Sequence, residues 1–209
     1  MNEANTFPYR QIRARYGDET ITVYQAYKPQ IATYAAREGR FPDTWSRSRM
    51  TWVKPSFLWM MYRSGWATKK LQEHVLALEI TRAGFDEALA GACLSHYDTS
   101  VYPDRDTWGR RLHRTTVRIQ WDPERDLHLR PLEHRSLQLG LAGRATRDYA
   151  DAWLVGVTDV TDLAHEIQGL VRSRDLAAAS ALLPAERPYE LSDELAATIG
   201  ATPRQSPSA

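Results

Sequence analysis

The stretch RMTWVKPSFLWMMYRSGW, Arg49 to Trp66, joins three tryptophans, three methionines, Phe57 and Tyr62 to the cations Arg49, Lys54 and Arg63. It holds no acidic residue. Guanidinium and ammonium groups bind phosphate, arginine in bidentate fashion. Indole and phenol faces stack on a nucleobase or nicotinamide ring, a contact of about 1–3 kcal/mol per base. Arg49, Lys54 and Arg63 are therefore candidate phosphate contacts. Trp52, Trp59, Tyr62 and Trp66 are candidate stacking faces. Packing competes with this reading, because in a helix beginning at Pro55 the side chains of Leu58, Met61 and Tyr62 share a face, and Met and Trp fill cores. Ser56, close to Lys54, reads as a helix cap or as half of a Ser–Lys pair, and is kept among the binding candidates.

A second cluster lies in VYQAY, Val23 to Tyr27, where Gln25 shares a strand face with Val23 and Tyr27. An amide between apolar neighbours needs a partner, supplied by the protein or by a ligand. Arg13 and Arg15 stand on the preceding extended segment. A third cluster, PLEHRSLQLGL, carries Glu133, Arg135 and Gln138, for which surface charge is the default reading. The six histidines form no HxH or HExxH pattern, and no CxxC exists, so no metal site is expected. There is no GxxxxGK[ST], GxGxxG or GxSxG. Cys93, the single cysteine, cannot form an internal disulfide and reads as a small buried hydrophobe on a helix.

These residues need a scaffold. The 209 residues suit a single domain, 1–190, followed by a tail, 191–209, whose last residues, ATPRQSPSA, are expected to be disordered. RQIRARY and TITVYQAY read as strands of a hairpin, and Lys28–Gly39 as a helix with Pro29 in its first turn and Gly39 past its end. A helix from Pro55 to Arg63 ends at Gly65. VLALEIT, TTVRIQWDP, Arg135–Leu141 and LVGVTDV read as strands, with a turn at Asp122–Pro123. Ala83–His96, AGRATRDYADAW and TDLAHEIQGLVRSRDLAAASALL read as helices, the last capped by Thr161 or Asp162, and SVYPDRDTWGRRLH as a loop. The result is an α+β fold: a modest, mostly antiparallel, split sheet flanked by helices.

The formal net charge is +1, but it is unevenly spread. Residues 1–66 carry 10 Lys/Arg and 5 Asp/Glu, whereas residues 150–209 carry 4 and 9. The basic end is also the aromatic end, which favours a flat anionic partner, a nucleotide or nucleic acid. The polar opening MNEANTFPYRQIRARY has no signal-peptide core, and no run approaches the roughly 18 apolar residues of a span. The expected location is the cytoplasm, with no membrane partner and no protein partner indicated.

IRARY, ITVYQAY, RMTWVKPSFLWMMYRSGW, QEHVLALEI, VRIQWDPER and RSLQLGL together resemble a bacterial and fungal family catalogued as a domain of unknown function. That resemblance spans roughly residues 9–190 and implies no mechanism. More distantly, VYQAYKPQIATYAAREGRF resembles the opening strand–helix unit of ADP-ribosyltransferase-like proteins, which bind NAD without a Rossmann motif. That resemblance implies NAD as substrate, Gln25 in the place of an early-strand histidine, Arg13 or Arg15 as the early cation, and Tyr27, Trp59 and Tyr62 packed on nicotinamide. It also implies a late catalytic carboxylate, Glu133 with Glu79 as its rival, stabilising the oxocarbenium-like state.

The leading expectation is an ADP-ribosyltransferase-like enzyme that uses NAD and modifies a nucleic acid or nucleotide. The alternative is a non-catalytic RNA- or nucleotide-binding module built on residues 49–66. A third reading is an interaction module whose aromatic residues are all core. Glu133 or Glu79 in one cleft with Arg49 and Trp59 would favour the enzyme. A basic groove without a carboxylate would favour the binder.

Overall fold

The computed structural model describes residues 7–203, and the expected disorder of residues 204–209 lies outside them. The chain forms one compact α+β domain. Its strands are β1 (Arg13–Ala14), β2 (Thr20–Tyr27), β3 (Thr51–Val53), β4 (His74–Thr81), β5 (Cys93–Leu94), β6 (Val117–Arg125), β7 (Pro131–Leu141), β8 (Leu154–Asp159) and β9 (Arg187–Pro188). Its helices are α1 (Pro29–Glu38), α2 (Phe57–Ser64), α3 (Arg82–Ala90), α4 (Arg105–Arg114), α5 (Arg144–Asp148), α6 (Thr161–Arg172), α7 (Leu176–Ala181) and α8 (Asp193–Ile199), with a π-helical turn at Tyr149–Trp153.

The sheet is split. One part runs β2-β4-β8, all antiparallel, and the other β3-β7-β6-β5, antiparallel except for the short β5. The segment Thr51–Lys54 stitches the two together. Its first three residues pair with β7, and Lys54 then exchanges backbone hydrogen bonds with Tyr24 of β2. Helix α2 follows at once and packs against both β2 and β6. The main core takes Ile21, Val23, Leu78, Phe85, Ile119, Leu139 and Tyr149. A second cluster around Tyr24, Phe57, Met61, Val75 and Ile167 fills the opposite face of β2 and β4.

Local chemistry sets several boundaries. Ser56 caps α2 by accepting the Trp59 amide at 3.1 Å, and Gly65 ends it at φ 61°, in the left-handed region that favours glycine. Gly39 ends α1 in the same way at φ 67°.

Other expectations are corrected. Of the first expected strand only Arg13–Ala14 is a continuous strand, which pairs with β9, while Arg10 makes a single bridge to Arg135. The expected hairpin with β2 shrinks to a Tyr16–Ile21 bridge and a Thr22-to-Arg15 hydrogen bond. Cys93 lies on β5, not on a helix, because α3 stops at Gly91. The expected loop before residue 115 contains α4, capped by Asp104. Its inner face is only the half-buried pair Trp108 and Leu112, a short apolar stripe among its arginines. No turn interrupts β6 at Pro123, which pairs with Arg135. Beyond Ile119, β5 no longer pairs with β6, so the missing proline N–H costs no ladder bond there. The last long helix is two helices, broken at Arg174 (φ 66°), with Asp175 capping the second. Asp159, not Thr161 or Asp162, accepts the Thr161 amide at the start of α6. The segment expected as tail contributes α8, whose Ile199 is buried and accepts the Trp121 indole N–H at 2.8 Å. On α2, Tyr62 is 40% exposed, while Phe57, Trp59, Met60 and Met61 are buried.

Candidate functional site

A cavity of about 860 Å3 opens where the two sheets part. One wall is the end of β2, Gln25–Tyr27, with Lys28 just beyond it. Its floor is Trp52, Lys54, Gln120 and Gln138, and its rim carries Arg49, Arg63 and Lys70. Counting Lys28, five basic side chains line it, and no carboxylate does, among the described residues.

Strand pairing explains the floor. Trp52, Gly140 and Arg118 stand in register across β3, β7 and β6, and Gln138 and Gln120 form the next cross-strand pair on the same face. Val117, Ile119 and Trp121 point the other way, into the core. The Trp52 ring lies against Gly140, where a Cβ would fall 2.8 Å from Cη2, so only glycine admits the indole there. Gln120 and Gln138 both donate their amide N–H to Asp122, at 2.8 and 2.9 Å. Neither amide oxygen accepts a hydrogen bond among the described residues, so both are available to a ligand's donors.

Gln25 is 4% exposed and fully engaged. Its Nε2 donates to Thr51 Oγ1 at 2.6 Å and to the Trp52 carbonyl at 3.0 Å. Its Oε1 accepts from the Tyr27 and Tyr149 hydroxyls, both at 2.7 Å. Burial drives both phenols well above their ordinary range, so they stay protonated as donors. The Trp45 indole N–H adds a bond to Tyr27 Oη at 3.1 Å, and Trp45 stacks on Phe41 at 4.4 Å between ring centroids. Gln25 thus clamps β3 onto β2. The same network, with an Arg47–Asp151 ion pair at 2.8 Å, holds the loop that presents Arg49.

Lys54 is the unusual residue. It is 3% exposed, yet among the described residues it forms no ion pair, and it lies over the Trp59 ring, Nζ 4.9 Å from the centroid. Burial, helped by the positive charge of Arg63 and opposed by Asp122, lowers its amine from the usual lysine value to about 7. The Trp59 indole N–H is itself buried without a partner.

The sequence candidates therefore divide between several places. Gln25, Tyr27, Arg49, Trp52, Lys54 and Arg63 meet at this cavity. Trp59 sits beneath Lys54 and does not line it. Tyr62 faces outward from α2 under the Arg125 guanidinium, 3.6 Å from its ring centroid. Arg13 and Ser56 line a second cavity of about 300 Å3, with Glu124, Glu186 and His134. There the Ser56 hydroxyl donates to Glu124 at 2.9 Å, and Glu186 accepts the Phe57 amide at 2.7 Å. Burial raises both carboxyls, Glu186 to about 8, and their mutual repulsion adds to the rise at Glu186. Glu133 is exposed on the outer end of β7 and lines neither cavity. Glu79 pairs with Thr22, three residues from Gln25, so it points to the opposite sheet face and lies across Gly156. Trp66 is buried in the second core cluster. Trp45, Lys70, Gln120 and the buried glutamates were not among the sequence candidates. The alternation of Arg118, Gln120 and Asp122 against Val117, Ile119 and Trp121 was the one readable signal for the floor.

Among the described residues, no three His, Cys, Asp or Glu side chains are placed to hold a metal ion, and no helix is long and apolar enough to cross a membrane. The molecule is thus an α+β protein with a cation-lined cleft at a sheet split. It belongs to the family described as Domain of unknown function (DUF4291), whose model matches residues 11–189. Comparison with curated proteins finds no match.

Proposed function

We propose that this protein binds a phosphate-bearing nucleotide in the cavity between its sheets. The observation that carries this reading is the lining: the cations Lys28, Arg49, Arg63 and Lys70 with the buried Lys54 amine, no carboxylate, the Trp52 indole and two free amide oxygens around about 860 Å3. That volume lies in the range of ordinary small-ligand sites. Arg49, Arg63 and Lys70 at the rim are suited to phosphates. The Gln120 and Gln138 oxygens are suited to sugar hydroxyls or a base amino group, and Trp52 to a ring.

NAD is the first nucleotide to test, because the β2–α1 unit, Val23 to Phe41, is the part that resembles ADP-ribosyltransferase-like proteins. Transfer of its ADP-ribose to a nucleotide or nucleic acid is the enzymatic extension of this reading. Glu133 is too far along β7 to act in this cavity. Two acids touch its lining: Asp122, held behind Gln120 and Gln138, and Glu73, which accepts the Leu71 amide at 2.9 Å.

The test is calorimetric titration with NAD, ADP-ribose, ATP and AMP, with tryptophan fluorescence as a second readout. Binding should weaken with salt, and Arg49→Ala and Arg63→Ala should each weaken it about tenfold, as expected for a lost charged hydrogen bond. Absence of binding by all four nucleotides at millimolar concentration would overturn the reading. Release of nicotinamide from NAD together with ADP-ribose appearing on an added nucleotide or nucleic acid would establish the enzymatic extension, whereas free ADP-ribose alone would mean hydrolysis.

A further inference from the structure

Lys54 is the feature that nucleotide binding alone leaves unexplained. Rim cations such as Arg49, Arg63 and Lys70 are exposed and suit phosphate, but Lys54 is sunk into the floor. A buried ammonium without a carboxylate partner is costly, and the cheap response is loss of its proton. The backbone fixes the residue on both sides. Its N–H and C=O bond to Tyr24 across the sheet split, and Pro55 restricts its conformation. The Trp59 ring supports the chain below Nζ, and Arg63 adds positive charge to the same cavity. A fixed, desolvated amine beside cations is how a lysine becomes a nucleophile toward a carbonyl.

We propose that Lys54 captures the carbonyl carbon of a phosphorylated aldehyde as an imine. This rests on the reading above for its phosphate half, and it names the reacting group the ligand carries. The Nζ lone pair adds to the carbonyl carbon, and the carbonyl oxygen becomes a hydroxyl. Both amine protons finally leave with that oxygen as one water as the C=N bond forms, so no oxidant or reductant is consumed. The ring-opened ribose of a nucleotide such as ADP-ribose presents this group, with its phosphates spaced away from it.

The chain has four lysines, Lys28, Lys54, Lys69 and Lys70, which makes the test clean. The protein is incubated with pyridoxal 5′-phosphate, reduced with borohydride, and its lysines are mapped by peptide mass spectrometry. Lys54, although it is the only buried lysine, should take the adduct about tenfold faster than the other three. Pyridoxal without the phosphate should label it about tenfold less, and Lys54→Arg should remove that adduct. Labelling spread over Lys28, Lys69 and Lys70 with Lys54 spared or merely equal overturns the proposal. The native protein alone decides this, so a misfolded variant does not matter. ADP-ribose as competitor separates the two readings. Labelled Lys54 with no nucleotide binding refutes the nucleotide and keeps the amine. Nucleotide binding with Lys54 unlabelled does the reverse.

Discussion

Replacing Lys54 with methionine isolates the consequence of burying an amine. Methionine keeps most of the chain length and cannot be charged. The folded-state amine titrates near 7, against an ordinary 10.5 in the unfolded chain. Its folded value is depressed, so the folded state binds fewer protons between the two values. The native protein's stability therefore rises from neutral to alkaline pH through this group, and is lost as pH falls toward 7. One-proton linkage puts the change at about 3–4 kcal/mol between pH 10 and pH 7, close to 1.4 kcal/mol per pH unit over most of the window. Lys54→Met removes that term. Urea unfolding of both proteins at matched pH gives the difference directly, and other titrating groups cancel in the subtraction. The difference should move in favour of methionine by that amount as pH falls. A difference that stays flat from pH 10 to pH 7 would refute the claim that Lys54 is buried and neutral.

Three further outcomes follow from the geometry. Gly140→Ala places a Cβ against the Trp52 ring, so it should cost about 1–3 kcal/mol of stability in urea unfolding and weaken nucleotide binding by moving the indole. Gln25→Ala leaves the Tyr27 and Tyr149 hydroxyls and the Trp52 carbonyl without their partner, a loss of about 2–4 kcal/mol, read as a lower thermal midpoint. Glu186 has a raised folded value, so its contribution is complete below the unfolded carboxyl range and is lost as pH rises toward 8. Glu186→Gln should flatten that decline in a pH series of unfolding curves, and an unchanged slope would refute the assignment.

How much of this was legible depends on range along the chain. The β2 strand and α1 were readable because eight β-rich residues, then Pro29 and Gly39, punctuate them locally. The binding candidates in residues 49–63 were readable because cations inside an apolar run demand a reason. Which of them converge was not readable, since Pro55 sends Lys54 and Ser56 into two different cavities. Helix α4 escaped because only the half-buried Trp108 and Leu112 face the core, and Pro123 looked like a stop because the loss of its neighbour β5 is not written locally. Glu133 shares β7 with Gln138 but lies at its exposed outer end, while Asp122 meets the floor through Gln120, two residues away on β6, and through Gln138 across the ladder, a junction that only the pairing brings together.

The contact between Trp52 and Gly140 has a counterpart at Gly84, where a Cβ would fall 2.3 Å from Trp153. Each pair joins distant parts of the chain, and in each the size of one residue depends on the absence of a side chain on the other. Across related sequences the two positions of each pair should drift together: a larger residue at 140 should arrive with a smaller one at 52, and likewise for 84 and 153. A grafted or recombined version of this cleft would need both halves of each pair from the same parent.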